Sequence, residues 1–298
     1  MDLDSFLVTL YVIVDDWWQA THRSRPRRGR PFELSPSEAL TLAILAQWPR
    51  WRCERDFVRF ANRYLRSYFP RLLSQGQFNR RVRALEPELR ALNEALAQVL
   101  KPLTSAIYYV LDTTLIPAIN RVRACRHGLF AGQATFGRCV SKTEWVYGFK
   151  LGLIVSQDGI ITRFGLAEAR ADDRPIADAL LATVKDHATY LADKGHSAVA
   201  WEQHWFEDYG ALVIATPRRN EKRAWDEGTC RWSAGKRQVV EQVVSHLKDL
   251  FSLERHRART LSGLLARIAA RIVAYTIGLY INLFCLSRPM RRLADLLI

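Results

Sequence analysis

Ala106-Ile107-Tyr108-Tyr109-Val110-Leu111-Asp112-Thr113-Thr114 is the stretch on which the fold turns. Its six leading residues are apolar and β-favouring, the profile of a strand buried on both faces, and an acid follows at once. Downstream, residues 146–156 and 160–167 read as two more strands. Gln157-Asp158-Gly159 joins them as a hairpin turn, with Gly where a positive φ is wanted. Residues 173–187 read as a helix, Thr189-Tyr190-Leu191-Ala192 as a short strand, 198–209 as a helix and 211–215 as a strand. Residues 236–250 and 261–284 read as closing helices. Three strands followed by alternating helices and strands predict an α/β fold, a mixed sheet with helical cover. No internal repeat, low-complexity tract or glycine-rich phosphate loop is present, which argues against a nucleotide-triphosphate enzyme.

Upstream of residue 105 the period is helical. Residues 3–18 are apolar at helical spacing, and the basic loop of residues 22–31 (HRSRPRRGRP) offers nothing apolar to bury. Ser35-Pro36-Ser37-Glu38 reads as a capping box opening a helix that runs toward Pro49. Residues 55–65 and 77–100 predict two more helices. The expected division is therefore an all-helical N-terminal domain at residues 1–104, suited to DNA binding, and a catalytic domain with C-terminal helices at 105–298.

The 298 residues are 49% hydrophobic and 25% charged, ordinary globular usage that excludes a disordered or collagenous chain. The charge is unusual: the net value is +14, and 36 of the 44 cationic residues are Arg. Such an excess points to an anionic partner, nucleic acid before an anionic membrane surface. Five cysteines without a short-spaced pair suggest a reducing compartment, and Cys125, His127 and Cys139 lack the second close pair of a zinc site. The opening MDLDSFLVTL carries acids where a signal peptide needs cations, so no secretion is expected. Residues 272–286 are apolar but too short to span a bilayer and contain Asn282; a buried helix, and no membrane partner, is expected.

Two acids end predicted strands, Asp112 after Val110-Leu111 and Asp193 after Leu191-Ala192. Parallel neighbours would bring such strand ends together, where open α/β sheets collect ligands. Adjacent carboxylates repel unless a cation lies between them, and all-oxygen donors suit Mg²⁺, or Mn²⁺ in its place. Glu241 is a third candidate, sharing one side of its helix with Arg237 and Lys248. Taken alone, each acid is equally readable as a turn residue, a loop cap or a surface ion-pair partner.

The motifs in their order carry a resemblance. They are Phe78-Asn79-Arg80-Arg81, Leu111-Asp112-Thr113-Thr114 with Pro117, and Arg126-His127-Gly128-Leu129-Phe130 leading to Gly137 and Ser141-Lys142. Trp145 through Leu151, Asp193-Lys194-Gly195, and Arg237 through Glu241 to Lys248 complete the set. From Asp112 to about Leu264 the chain resembles a bacterial insertion-sequence transposase of the DDE class, nearest to the Insertion Sequence 982 family. Ala234 stands where the wider class often has Tyr, and Gly152 where a His is expected. The resemblance implies an RNase H-like mixed sheet with helices on both faces, and two-metal phosphoryl transfer that cleaves and joins DNA strands. Asp112, Asp193 and Glu241 would be the catalytic and metal-binding acids for two Mg²⁺ ions, with Asp112 bridging. Lys150, Lys194, Arg218, Arg219, Arg237 and Lys248, with Arg27, Arg28, Arg80 and Arg81 from the helical part, would contact DNA. The implied partners are double-stranded DNA with terminal inverted repeats, target DNA and a second copy in a homodimer, in the bacterial cytoplasm at the nucleoid. The rivals are a metal-dependent nuclease that cuts without joining, and a non-catalytic DNA-binding protein.

Overall fold

The computed structural model describes residues 1–22, 33–48, 50–103, 107–124, 126, 128–139, 143–184, 187–218, 221 and 225–296. Arg27, Arg28, Arg219, Lys142, Cys125 and His127 therefore lie outside the described residues. Among those described, Cys53, Cys139, Cys230 and Cys285 carry free thiols. The chain divides into two compact units: residues 1–96, 247–258 and 262–298 form the first, residues 97–246 and 259–261 the second. The outgoing chain leaves the first unit after Leu96, and the C-terminal segment, expected with the sheet, joins the helical unit. Hydrophobic periodicity marks that segment as a helix but carries no information about which unit buries it.

The described elements of the first unit are helical: α1 (Leu3–Thr21), α2 (Pro36–Leu45), α3 (Glu54–Tyr64), α4 (Gln75–Ala84) and α5 (Glu86–Leu100), whose last turn passes into the second unit. The capping box at the start of α2 forms as expected. Ser35 Oγ accepts the Glu38 N–H at 3.1 Å, and Ser35 N donates to Glu38 Oε2 at 2.6 Å. The helix expected at 77–100 is two helices. Pro87 has no N–H to continue the ladder, so the chain stops at Leu85 and restarts with Pro87 in the first turn of α5.

After α9 (Glu227–Asp249), which passes from the second unit into the first, comes α10 (Leu261–Tyr280). Its helical path continues to Cys285, matching the closing helix expected at 261–284. By length and composition (mean hydropathy 1.6) it could cross a membrane, yet 78% of its most apolar window is buried inside the protein. Buried Arg271, Thr276 and Asn282 each find a partner within their unit. Arg271 Nε donates to the Phe251 carbonyl, Thr276 Oγ1 to Asn93 Oδ1, and Asn282 Nδ2 to the Met290 and Arg292 carbonyls. These are the marks of a core helix.

The second unit holds a six-stranded mixed sheet. Strand β1 (Tyr108–Pro117) lies centrally, antiparallel to the long β3 (Glu144–Ser156) and parallel to β5 (Thr189–Ala192). Beyond β5, β6 (Leu212–Ala215) adds a second parallel pair. The far edge of β3 is shared: β2 (Thr135–Cys139) pairs with its first half and β4 (Ile161–Glu168) with its second, both antiparallel. The hairpin turn is as expected, with Gly159 at φ +92°. The single turn α6 (Arg121–Ala124) and then strand β2 lie in what the sequence presents as a loop; at five residues with two glycine or polar interruptions β2 gives too little alternation to recognise.

Strand alternation sorts the two faces of β1. Tyr109 and Leu111 point into a cluster with Ile176, Leu180 and Leu181 of α7 (Asp173–Leu181) and fully buried Trp205 of α8 (Val199–Tyr209). Trp201 packs on Trp205 with ring centroids 5.7 Å apart and belongs to this cluster. The other face, bearing Tyr108 and Asp112, meets α9: Lys236 Nζ lies 6.0 Å from the Tyr108 ring centroid and Arg237 interacts with Asp112. Helices thus cover both faces. Gly152 also finds its reason here. A Cβ on it would come within 2.5 Å of Ile176 Cγ2 and 3.1 Å of Leu180 Cδ1, so α7 packs too closely for the His expected there.

On α8, His204 bonds two carboxylates, Asp178 through Nε2 at 2.9 Å and Asp208 through Nδ1 at 2.5 Å. Desolvation lowers the imidazole pKa, but these bonds and charges outweigh it and hold it above the ordinary 6.5. A raised folded-state pKa means that the stabilisation is complete below 6.5 and fades as pH rises through the folded value. The melting temperature of wild type should therefore drop more from pH 6 to pH 9 than that of His204→Gln. Parallel curves would refute the assignment.

Candidate active site

The last residues paired between β1 and β5 are Leu111 and Ala192. Asp112 and Asp193 come next on adjacent parallel strands, whose spacing is about 5 Å. Parallel pairing thus brings together two acids far apart in sequence. Strand β1 does not end at Asp112 as expected. It continues to Pro117 against β3, and only its partnership with β5 stops there.

Each carboxylate has one oxygen held by the backbone. Asp112 Oδ1 accepts the Thr113 N–H at 2.8 Å; Asp193 Oδ1 accepts the Gly195 N–H at 2.9 Å and pairs with His196 Nδ1 at 2.9 Å. Their electrostatics diverge. Burial pushes Asp112 up to about 6, with the Asp193 charge adding to it and the Thr113 N–H, Arg237 and His196 opposing. Part of the Asp112 residue still meets solvent, but its carboxyl lies deep. At Asp193 burial acts in the same direction but loses. The His196 bond and charge, the Gly195 N–H and Arg237 hold its carboxyl below the usual range. His196 is fully buried and its Nε2 has no hydrogen-bond partner among the described residues.

Glu241 does not join them. Buried Val239, Val240, Val243 and Leu247 define the inner face of α9, which puts Arg237 at the flank of that face and Glu241 further round, exposed. Among the described residues two of the three expected acids thus stand side by side, and Glu241 is exposed on α9. Among the described residues no three His, Cys, Asp or Glu side chains are arranged to hold a metal ion. The pair itself fits a hard dication in its donor chemistry: two adjacent carboxylates, one forced upward in pKa, each with an oxygen to spare.

The expected DNA-contacting cations fall into four groups. Lys194 is exposed in the turn after Asp193, and its carbonyl accepts Arg218 Nε at 3.1 Å, so these two cations share the edge beside the acids. The Arg237 charge acts on both Asp112 and Asp193, lowering the pKa of each. Lys150 and Lys248 are engaged by groups of the protein itself. Lys150 Nζ bonds Asp173 Oδ1 at 2.9 Å and the Ala171 carbonyl at 2.6 Å, while Lys248 Nζ pairs with Glu254 at 2.9 Å. In the helical unit, Arg80 is exposed on α4 and Arg81 is half-buried.

Residues 102–261 match the family described as the transposase DDE domain, more than half of the chain. The chain belongs to the DDE transposase family. Solved structures similar to it include the Mos1 mariner paired-end complex with Mn, at 11% identity and TM-score 0.22, covering 80% of this chain and 86% of that one. A pre-cleavage Mos1 transpososome gives 13% identity and TM-score 0.23 over 88% and 84% of the two chains. The Mos1 strand transfer complex gives 11% and 0.23 over 89% and 84%. Likenesses this distant carry no argument. No curated protein matches.

Asp173 and His196 stand out in none of the sequence motifs, and Thr113 and Gly195 stand in motifs that give them no role of their own. Asp172-Asp173-Arg174-Pro175 looks like a helix start, which it is, and that reading conceals any other role. Gly195 is required by close approach: a Cβ on it would lie 2.6 Å from Asp173 Oδ2 and 2.9 Å from Asp193 Oδ1. Side-chain ends can give way at little cost to the fold, but here they are the carboxylates of the site. Gly195→Ala should melt within a few degrees of wild type and lose DNA cleavage by about tenfold or more, the cost of misplacing reacting groups. Full cleavage by that variant would show that the Asp193 carboxylate need not stay where it is.

Proposed function

We propose that this transposase cleaves DNA at the ends of an insertion sequence of the Insertion Sequence 982 type and joins those ends to target DNA. The observation that carries the reading is the pairing of Asp112 and Asp193 past the last parallel residues of β1 and β5. A central strand antiparallel to β3 and parallel to β5 is also what an RNase H-like core requires. Bound there, two divalent ions would activate the attacking oxygen and stabilise the leaving 3′ oxygen. Asp112 and Asp193 would hold them, Mg²⁺ or Mn²⁺, with Glu241 on α9 as the third acid once that helix engages DNA. His196 and the Gly195 N–H orient Asp193, leaving its second oxygen for a cation. Arg237 offsets negative charge between the acids, and Lys194 with Arg218 seats the phosphates on either side of the cut. The helical unit, through Arg80 and its neighbours, grips the inverted repeats, and two copies of the chain hold two ends for joining.

The test is a cleavage and joining assay on duplexes carrying the inverted repeats that flank the reading frame. Cutting and joining in Mg²⁺, both stopped by chelation, is the expected result. Cutting without joining would make the protein a nuclease, and DNA binding with neither would make it a binding protein.

A further inference from the structure

We propose that Asp173 is a positioning residue of this site, setting the segments that carry Asp112 and Asp193 from the face of the sheet opposite α9. The inference rests on the reading of those two acids as catalytic. Asp173 Oδ1 accepts Thr113 Oγ1 at 2.8 Å and Lys150 Nζ at 2.9 Å. Its Oδ2 lies against Gly195, where an added Cβ would meet it at 2.6 Å and Asp193 Oδ1 at 2.9 Å. Thr113 directly follows Asp112, and Gly195 is two residues past Asp193. One carboxylate therefore touches both acid-bearing segments, one through a hydroxyl and the other by packing.

Helix capping does not account for this carboxylate. Asp172 is the N-cap of α7 and accepts the Arg174 N–H at 3.0 Å, so the helix start is satisfied without Asp173. The ion pair is also no loose surface contact. The Lys150 and Asp173 side chains are 15% and 24% exposed, and Lys150 is further fixed by the Ala171 carbonyl at 2.6 Å. Successive strand residues point to opposite faces, so holding the Thr113 side chain on the α7 face fixes the direction in which Asp112 leaves the other. Lys150 stands across from Leu115 on β3, and its ammonium ties the first turn of α7 to the sheet beside Thr113. Outer groups that orient metal-binding carboxylates typically change metal affinity or activity 10–100-fold when removed.

The experiment uses the full chain: Mn²⁺ binding by calorimetry, end-DNA cleavage in Mg²⁺, end-DNA binding and thermal melting. Asp173→Asn keeps an acceptor for Thr113 but drops the charge facing Lys150. It should weaken Mn²⁺ binding and slow cleavage by about 10–100-fold while leaving DNA affinity within twofold. Lys150→Met should do the same, and the double variant should be no worse than either single, because one shared interaction is lost. Asp173→Glu should recover part of the Mn²⁺ affinity. Mn²⁺ binding and cleavage by Asp173→Asn within twofold of wild type would overturn the proposal, as would a loss that merely follows a lowered melting temperature. Should Asp173→Asn fail to fold, Thr113→Val decides by the same figures. If Asp112→Asn is inactive while Asp173→Asn behaves as wild type, this inference alone fails. A folded wild type that neither binds Mn²⁺ nor cleaves would take the reading of the acids down with it.

Discussion

Asp112→Asn should abolish DNA cleavage and, at neutral pH without metal, make the protein more stable. The first effect follows from removing a carboxylate proposed to hold the metal. Transition-state charge stabilisation of several kcal/mol corresponds to about 10³-fold or more in rate. The second follows from burial, which pushes the Asp112 carboxyl up to about 6 from its ordinary 3.8. Between those values the folded state holds a proton that the unfolded state releases, so stability falls as pH rises through this window and stays low above it. The penalty at pH 7 is about 2–3 kcal/mol, taken at the lower end because part of the residue meets solvent. Asparagine carries no charge and escapes it. Melting in chelator should show the variant ahead of wild type at pH 7.5 and level with it near pH 4. Mn²⁺ should raise the melting temperature of wild type and leave the variant unmoved. A variant that still cleaves in Mg²⁺, or one less stable than wild type at pH 7.5, would show that Asp112 is not a strained, metal-directed acid.

Why some of this was legible in the sequence and some was not comes down to the range of the interactions. The run at 106–111 declares a buried central strand because alternation and apolar composition are local, and the turn at Gly159 is local chemistry too. Asp112 and Asp193 could be paired on paper because both follow buried strands that a parallel crossover would set side by side. The place of Glu241 depends on the rotation of α9, fixed by Val239, Val240, Val243 and Leu247, and the spacing of Arg237, Glu241 and Lys248 describes only which residues share a side. Lys150 looked like a free cation because its partner, Asp173, lies on another element and resembles a helix start. The destination of α10 was likewise invisible, since an apolar helix is equally content against any apolar surface.

That destination governs the second large effect: a chain shortened to begin at Lys101 should be insoluble, whereas one ending at His246 and beginning at Ala97 should remain in solution. The contacts of α10 come from the part removed. Thr276 Oγ1 donates to Asn93 Oδ1 at 2.7 Å, Arg267 pairs with Glu54 at 2.9 Å, and a Cβ on Gly278 would lie 3.2 Å from the Trp48 ring. Trp48 also packs edge-on to Phe251, with centroids 5.2 Å apart. Without residues 1–100, Leu264, Ile268, Ile272, Val273, Ile277 and Leu279, all now buried, lose that cover. At about 1.5–3 kcal/mol for each such side chain, the loss is on the order of 10 kcal/mol, as large as the whole stability of an ordinary domain. The uncovered helix would then be a contiguous apolar surface of the kind that drives aggregation. The soluble fraction and sedimentation of the two truncated chains test this directly; a monodisperse, folded chain from Lys101 to Ile298 would refute it. For the same reason truncation cannot test the DNA-binding role proposed for the helical unit. Loss of end binding on truncation would report only collapse, so the full chain must be used. There Arg80→Ala, on the exposed face of α4, should weaken end binding and lower the salt slope by about one. An unchanged slope would move recognition to the cations beside the acids, Lys194 and Arg218.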